Sequence, residues 1–401
     1  MKRTLFPLAF TFAATAAAQT KTSFHFDMAA ISPTVLYSEA TGFGYEKNAS
    51  NEPPYYFSIR VPEEGNYRVK VRLGSPSAAT TTTIKAELRR LMVERVDTKP
   101  GELVTRSFIV NTRRPQIPGG GIVKLKDREK ASEAWAWDDK LTLEFTNVHP
   151  GVAAINIEKA DAIPTLYIVG DSTSTDQPLE PYNSWGQMIT AFFKPGIGVA
   201  NHGESGESLR GFLGELRWAK VMSVLRRGDY LLIQMGHNDQ KEKGEGVGAK
   251  TTYKTDLKRM VAEARERGAT PIVVTPVNRL TFGSDGKITN SLGEYPEAVR
   301  QVAAEEHIAL IDLNAMSKRF YEALGPVDAH LAFAGKDTTH HDNYGSYELA
   351  KCVAQGLKDV KSPLAKYLID RPRFDPARPD PPASFSIPAE PAAKAEMPYG
   401  N

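Results

Sequence analysis

The chain of 401 residues has one cysteine, Cys352, so no intramolecular disulfide staples it and no cysteine pair can hold a metal. Cys352 lies in YELAKCVAQGL, whose apolar spacing puts it on the inner face of a helix as a small buried hydrophobe. An excess of charge of one sign is also missing, with 50 Lys and Arg against 48 Asp and Glu. That balance gives no electrostatic reason to expect nucleic acid or an anionic membrane surface as a partner. Beyond the N-terminus no run is long and apolar enough to span a bilayer. There is no internal repeat at a solenoid period, and nothing in the sequence specifies an oligomeric state.

What the chain does have begins with MKRTLFPLAFTFAATAAAQT. Lys2 and Arg3, an apolar run from Leu5 and the small residues Ala16 to Ala18 make a cleavable secretory signal over residues 1–18. The expected location is therefore secreted or periplasmic. From residue 20 to 160 the signals are short and alternating, in YYFSIRV, NYRVKVRLG, TTTTIKAEL, TRSFIVNTR, GIVKLK and KLTLEFTN, and they predict an all-β, jelly-roll-like sandwich. Residues 164–365 change rhythm. Apolar runs at 166–169, 199–200, 230–234, 271–275 and 308–313 alternate with helical patterns near 207–226, 251–267, 295–306 and 342–358. This is the α/β pattern of a parallel sheet covered on both faces, a three-layer sandwich. Residues 366–401 form a tail rich in Pro that cannot continue a helix or a central strand.

The segment PTLYIVGDSTST places Ser172 just past the first strand of the second region. In open parallel sheets ligands bind beyond the carboxyl ends of the strands, so the hydroxyl lies where chemistry is done. A serine nucleophile needs a base, a carboxylate to orient that base, and donors for the developing oxyanion. DTTHHDNYG offers Asp337 and His340 at a spacing that lets both face one way; NHGESGES puts Gly206 after a strand, and LLIQMGHND ends on Asn238. Each has a plainer reading as a cap or turn. His340, His341, Asp342 and Asp337 also make a zinc-like ligand set, but that reading leaves Ser172, Gly206 and Asn238 without a role. Asp312, in ALIDLN, is a second carboxylate that suits a turn or cap. Trp185, in SWGQM, is either core or a platform for a sugar ring. Tyr55, Tyr56, Trp135 and Trp137 pose the same choice in the β region.

Ser172 in GDS, Gly206, Asn238 in GHND and Asp337-x-x-His340, in that order, resemble the four blocks of the SGNH/GDSL hydrolases. LYIVGDSTST, SWGQM, ANHGESGESLRGF, GDYLLIQMGHNDQK and THHDNYGSYELAKCV are similar, more closely, to rhamnogalacturonan acetylesterases and their bacterial relatives. NTRRPQIPGGG and WDDKLTLEF resemble a galactose-binding-like domain that precedes the esterase in many of them. The resemblance implies a flavodoxin-like SGNH fold and a cofactor-free acetylesterase with no metal. Ser172 would be nucleophile, His340 base and Asp337 its orienter. The N–H groups of Ser172 and Gly206 and the Asn238 amide would form the oxyanion hole. The implied partner is an acetylated polysaccharide or oligosaccharide, most directly pectin or rhamnogalacturonan, with Trp185, Arg210 and His237 as substrate contacts. Where several members read Ser-Gly-Arg-Ser, this chain reads Ser205-Gly206-Glu207-Ser208, and Arg210 is the candidate replacement for the absent arginine. An esterase of acetylxylan or of another acetylated sugar is the alternative, and a non-catalytic carbohydrate-binding protein is the alternative from another class.

Overall fold

The computed structural model describes residues 22–47 and 52–387, and the segment read as a cleavable signal lies outside them. Nine strands among the described residues form the N-terminal β domain. They are β1 (Ser23–Asp27), β2 (Phe43–Tyr45), β3 (Tyr55–Arg60), β4 (Gly65–Leu73), β5 (Thr80–Ala86), β6 (Arg90–Thr98), β7 (Val104–Thr112), β8 (Lys140–His149) and β9 (Val152–Lys159). They pair antiparallel into sheets of order β1-β9-β4-β7 and β2-β3-β8-β5-β6. Alternation explains the stack. Val69, Val71 and Leu73 from β4, Phe57 and Ile59 from β3, and Leu141 and Leu143 from β8 point inward to one shared core. GIVKLK does not form a strand: Lys124 N donates to Glu215 O at 3.0 Å, so this alternating segment is spent on a loop against the second region.

The chain then runs through β10 (Thr165–Gly170), α1 (Trp185–Met188), β11 (Gly198–Asn201), α2 (Leu209–Gly214), α3 (Arg217–Val224), β12 (Tyr230–Gln234), α4 (Lys254–Glu266), β13 (Thr270–Val274), α5 (Tyr295–Glu305), β14 (Ala309–Ile311), α6 (Leu313–Asp328) and α7 (Asn343–Asp359). The five strands are parallel in the order β11-β10-β12-β13-β14, which is the flavodoxin-like order. Both faces are covered because each strand is apolar on both sides: Leu166 and Ile168 of β10 join one core, Tyr167 and Val169 the other. The order reverses between β10 and β12, and the crevice that this opens at their carboxyl ends is the place for a ligand.

The periodicity missed α6, whose run is broken at Gly325 (φ +80°) and Pro326. Residues 366–387 lie along α7: Tyr344 Oη donates to Asp380 O at 2.7 Å, Phe374 N donates to Gln355 Oε1 at 3.1 Å, and Ile387 is buried in the core. Cys352 is buried in α7 and burial pushes its thiol up, as expected of an inert core residue.

Candidate active site

β10 ends on Gly170, and only glycine fits there: a Cβ would meet Ser174 Oγ at 1.9 Å and Gln234 O at 2.8 Å. The tight turn that follows lifts Ser172 to the sheet rim. Its backbone is tied down on several sides. Gln177 Nε2 donates to Ser172 O at 2.8 Å, Thr173 N and Oγ1 donate to Asp171 Oδ1 at 3.0 and 2.7 Å, and Gln234 Nε2 donates to Thr173 Oγ1 at 2.6 Å.

Asp337 and His340 arrive from the loop before α7. His340 Nε2 lies 2.8 Å from Ser172 Oγ, and His340 Nδ1 lies 2.8 Å from Asp337 Oδ2. Asp337 Oδ1 also accepts from Thr339 N at 2.7 Å and His340 N at 2.9 Å. Burial pushes the Asp337 carboxyl up, but the His340 ring and these N–H groups outweigh it and hold the group at about 2. A charged Asp337 fixes the Nδ1–H tautomer, leaving Nε2 to accept the Ser172 proton. All three side chains are buried, so the chain of two bonds works in a low dielectric. Tyr182 packs edge-on to the His340 ring at 6.0 Å between centroids.

Gly206 follows β11 with φ +81°, a left-handed conformation that glycine takes without strain. It is more exposed than the residues flanking it. Asn238 follows β12; its Nδ2 donates to Glu207 O at 3.0 Å, which ties the β11 and β12 loops together. An amide carries two N–H groups, so one is used as an anchor and the second can serve a ligand.

Not every expected site residue comes to this rim as a contact for substrate. Trp185 is fully buried and its Nε1 donates to Gln234 Oε1. It is core, supporting Gln234 under Thr173, and cannot offer a face to a sugar. Arg210 is exposed and lines a separate groove with Leu213, Thr251, Thr255, Asp256 and Arg259; its nearest carboxylate is Glu242, at 3.9 Å. His237 is buried, with Nδ1 3.2 Å from Asp171 Oδ2 and with Nε2 lacking a partner among the described residues. Burial pushes Asp171 up, yet His237 and Thr173 outweigh it and the carboxyl is lowered. Asp171 and Gln177 are positioning residues that sequence reasoning missed; the one signal for Asp171 is its place as the middle letter of GDS.

The alternatives resolve locally. Asp312 caps α6 by accepting from Ala315 N at 3.2 Å and pairs with Arg300 at 2.9 Å. Asp342 caps α7 by accepting from Gly345 N at 2.8 Å, and His341 points into the core, 2.6 Å from Tyr321 Oη. Burial pushes the His341 imidazole down to about 3. The set His340, His341, Asp342 and Asp337 therefore diverges instead of converging on one point. Trp137 is buried with Nε1 donating to Glu129 Oε1 at 2.8 Å, while the Tyr56 and Trp135 rings pack at a tilt, 5.1 Å between centroids, and stay half-buried.

The sequence profile of the GDSL-like Lipase/Acylhydrolase family matches residues 168–343, the stretch from β10 to the start of α7. The rhamnogalacturonan acetylesterase RhgT of Bacillus subtilis is 37% identical over 221 residues, covering 51% of this chain and 94% of that protein. The chain belongs to the GDSL-like lipase/acylhydrolase family. It is a carboxylic ester hydrolase. A second relative of this acylhydrolase, the probable rhamnogalacturonan acetylesterase YesY of B. subtilis, is 37% identical over 216 residues, 51% of this chain and 97% of that one. The crystal structure of the B. subtilis YxiM protein aligns over 83% of this acylhydrolase and 94% of its own chain, at 23% identity and a TM-score of 0.49.

Proposed function

We propose that this acylhydrolase is a serine acetylesterase acting on a plant cell-wall polysaccharide, with acetylated rhamnogalacturonan or a related pectin as its substrate. The observation that carries the chemistry is the unbroken chain Ser172 Oγ, His340, Asp337, with both links at 2.8 Å. Ser172 Oγ attacks the acetyl carbonyl while His340 Nε2 takes its proton. The carbonyl oxygen becomes an oxyanion, received by the N–H groups of Ser172 and Gly206 and by Asn238 Nδ2. His340 then protonates the departing sugar hydroxyl, and the C–O bond to the sugar breaks. Water attacks the acetyl-serine, losing its proton to His340, and acetate leaves with Ser172 restored. Asp337 orients the imidazole and stabilises its charged form without accepting the proton.

Support for the sugar comes from the two relatives that carry rhamnogalacturonan acetylesterase in their names. Basic groups beside the nucleophile turn supply the charge that an acidic sugar calls for. Arg279 Nη2 donates to His237 O at 3.5 Å; burial lowers both the Arg279 and Lys241 groups, and the Asp171 charge opposes that shift. Arg279 and Lys241 then replace Arg210 as the basic contacts for an acidic sugar. We read residues 1–18 as a secretory signal, which suits a polymer too large to enter a cell. We read 20–160 as a galactose-binding-like domain, 164–365 as the esterase domain and 366–401 as a Pro-rich C-terminal tail.

The test is to incubate the protein with acetylated rhamnogalacturonan, homogalacturonan and xylan and follow the acetyl signals by NMR. Loss of signals from rhamnogalacturonan first, and no loss with Ser172→Ala, is the expected result. Serine-dependent release from xylan alone would move the enzyme to another substrate, and no serine-dependent release from any ester would remove the nucleophile.

A further inference from the structure

Ser205 and Gly206 share one peptide group. The cis bonds among the described residues are Pro53–Pro54 and Glu180–Pro181, so this peptide is trans, with its C=O and N–H pointing in opposite directions. Whatever grips the Ser205 carbonyl therefore aims the Gly206 N–H. Two cations grip it, and both come from the β domain. Lys126 Nζ donates to Ser205 O at 2.8 Å, and Arg128 Nη2 donates to the same oxygen.

Each cation is itself held. Lys126 pairs with Glu207, and Arg128 pairs with Glu204 and, at 3.3 Å, with Glu133. The turn Asp127–Lys130 beneath them is locked by Glu129. Its two oxygens accept from buried Arg217 at 2.9 and 2.6 Å, and Oε1 also accepts from Trp137 Nε1 at 2.8 Å. The grip is therefore held from both sides, by Glu133 and Trp137 of the β domain and by Glu204, Glu207 and Arg217 of the second region.

We propose that Lys126 and Arg128 are positioning residues for ester hydrolysis, clamping the Ser205 carbonyl from the β domain so that the Gly206 N–H is aimed at the oxyanion. This rests on the reading of Gly206 as an oxyanion donor. Two effects follow. A glycine has more backbone conformations open to it than any other residue, so a peptide gripped from behind needs no reorganisation when the negative charge forms. Charge-assisted bonds to the carbonyl also polarise the peptide and strengthen its N–H as a donor. The β domain is then part of the esterase apparatus and not only an appended binding module.

The experiment uses the full chain carrying Lys126→Met, Arg128→Met, both together, and Arg128→Lys, with 4-nitrophenyl acetate as probe. Turnover is expressed per active site, counted by complete inactivation with a phosphonate that bonds to Ser172. We expect kcat of the double variant to fall at least tenfold with KM within twofold, and Arg128→Lys to stay within threefold of the unaltered enzyme. Phosphonate inactivation should slow in step with kcat, because the phosphonyl oxygen takes the same donors. A kcat per site within twofold of the unaltered enzyme overturns the clamp, as does a loss that appears wholly in KM. Should Arg128→Met not fold, Lys126→Met, at a partly exposed side chain, decides the matter on the same kcat and KM criteria. Ser172→Ala, run alongside, separates the two claims. Activity persisting in it defeats the site reading, whereas a silent Ser172→Ala beside an unaffected double variant defeats the clamp alone.

Discussion

Where the β domain meets the loops around Ser172, the β domain supplies cations and the esterase region supplies carboxylates. Arg89 pairs with Glu180, Arg90 with Asp176 at 3.3 Å, Arg128 with Glu204 and Lys126 with Glu207. Along α3 the polarity is reversed. Arg217 reaches back to Glu129 at 2.6 Å and Lys220 to Glu64 at 2.7 Å. The cations near the nucleophile also bond to backbone: Arg89 donates to Gln177 O at 3.1 Å and Tyr182 O at 3.2 Å, Arg90 to Val199 O at 2.9 Å, and Lys126 to Ser205 O. Those around α3 chiefly join side chains. The first set shapes loops; the second joins the two regions through side chains. Buried ion pairs add little net stability but are costly to break singly, so the two sets should fail differently.

The largest effect belongs to the reacting group itself. Ser172→Ala should cut kcat on 4-nitrophenyl acetate by about 10⁴-fold or more while leaving the melting temperature near that of the unaltered protein. A loss of stability equal to the loss of activity would erase the distinction between chemistry and scaffold.

Arg217→Met tests the second set. It takes the paired cation from the buried Glu129 carboxylate, leaving it the Trp137 and Lys126 N–H bonds, and removing one partner of such a pair costs about 3–5 kcal/mol. Denaturant unfolding should show that drop. An unchanged midpoint would mean that the second set does not hold the regions together. Asn238→Ala comes next: losing one oxyanion donor costs about 2.7–4 kcal/mol in the transition state, a fall of about a hundredfold or more in turnover, beside a loss of about 1–3 kcal/mol of stability from the broken bond to Glu207 O. A rate equal to that of the unaltered enzyme would take Asn238 out of the oxyanion hole.

The smallest effect is in pH. Burial pushes Glu87 in the β domain and Asp239 beside the active site each up to about 8. Unfolded carboxyls titrate near pH 4, so the stability these groups contribute is complete below about pH 4 and is lost as pH rises to about 8. Asp337 has the opposite sign: held at about 2, its contribution is present above about pH 4 and disappears below it. Calorimetry should therefore give a lower melting temperature at pH 8.5 than at pH 5.5, with a shallower decline in Glu87→Gln. An identical decline in that variant would assign the slope to other groups.

Much of the α/β region was legible because its strands are continuous apolar runs and its site residues sit at their ends; β10, β12 and β13 lie within a residue or so of the expected runs. The β domain was less so. GIVKLK alternates like a strand but makes only an isolated antiparallel bridge, Ile122 to Gln116, and β1, β2, β6 and β9 do not stand out along the chain, because strand formation depends on the neighbour that pairs with the segment more than on its own residues. Trp185 illustrates the same limit at the site. Its residue type suits both a sugar platform and a core, and only the position of Gln234 beneath Thr173 decides between them.

By itself the sequence determined which residues could do acyl transfer and in which loops they stand. Those are local matters of side-chain chemistry and of where an apolar run gives way to a turn. The tertiary structure alone decided that Ser172 and His340, 168 positions apart, come within a hydrogen bond. It also decided that Lys126 and Arg128 stand behind the Gly206 peptide. Contacts between distant segments depend on how whole sheets pack, and no local pattern along the chain encodes that distance.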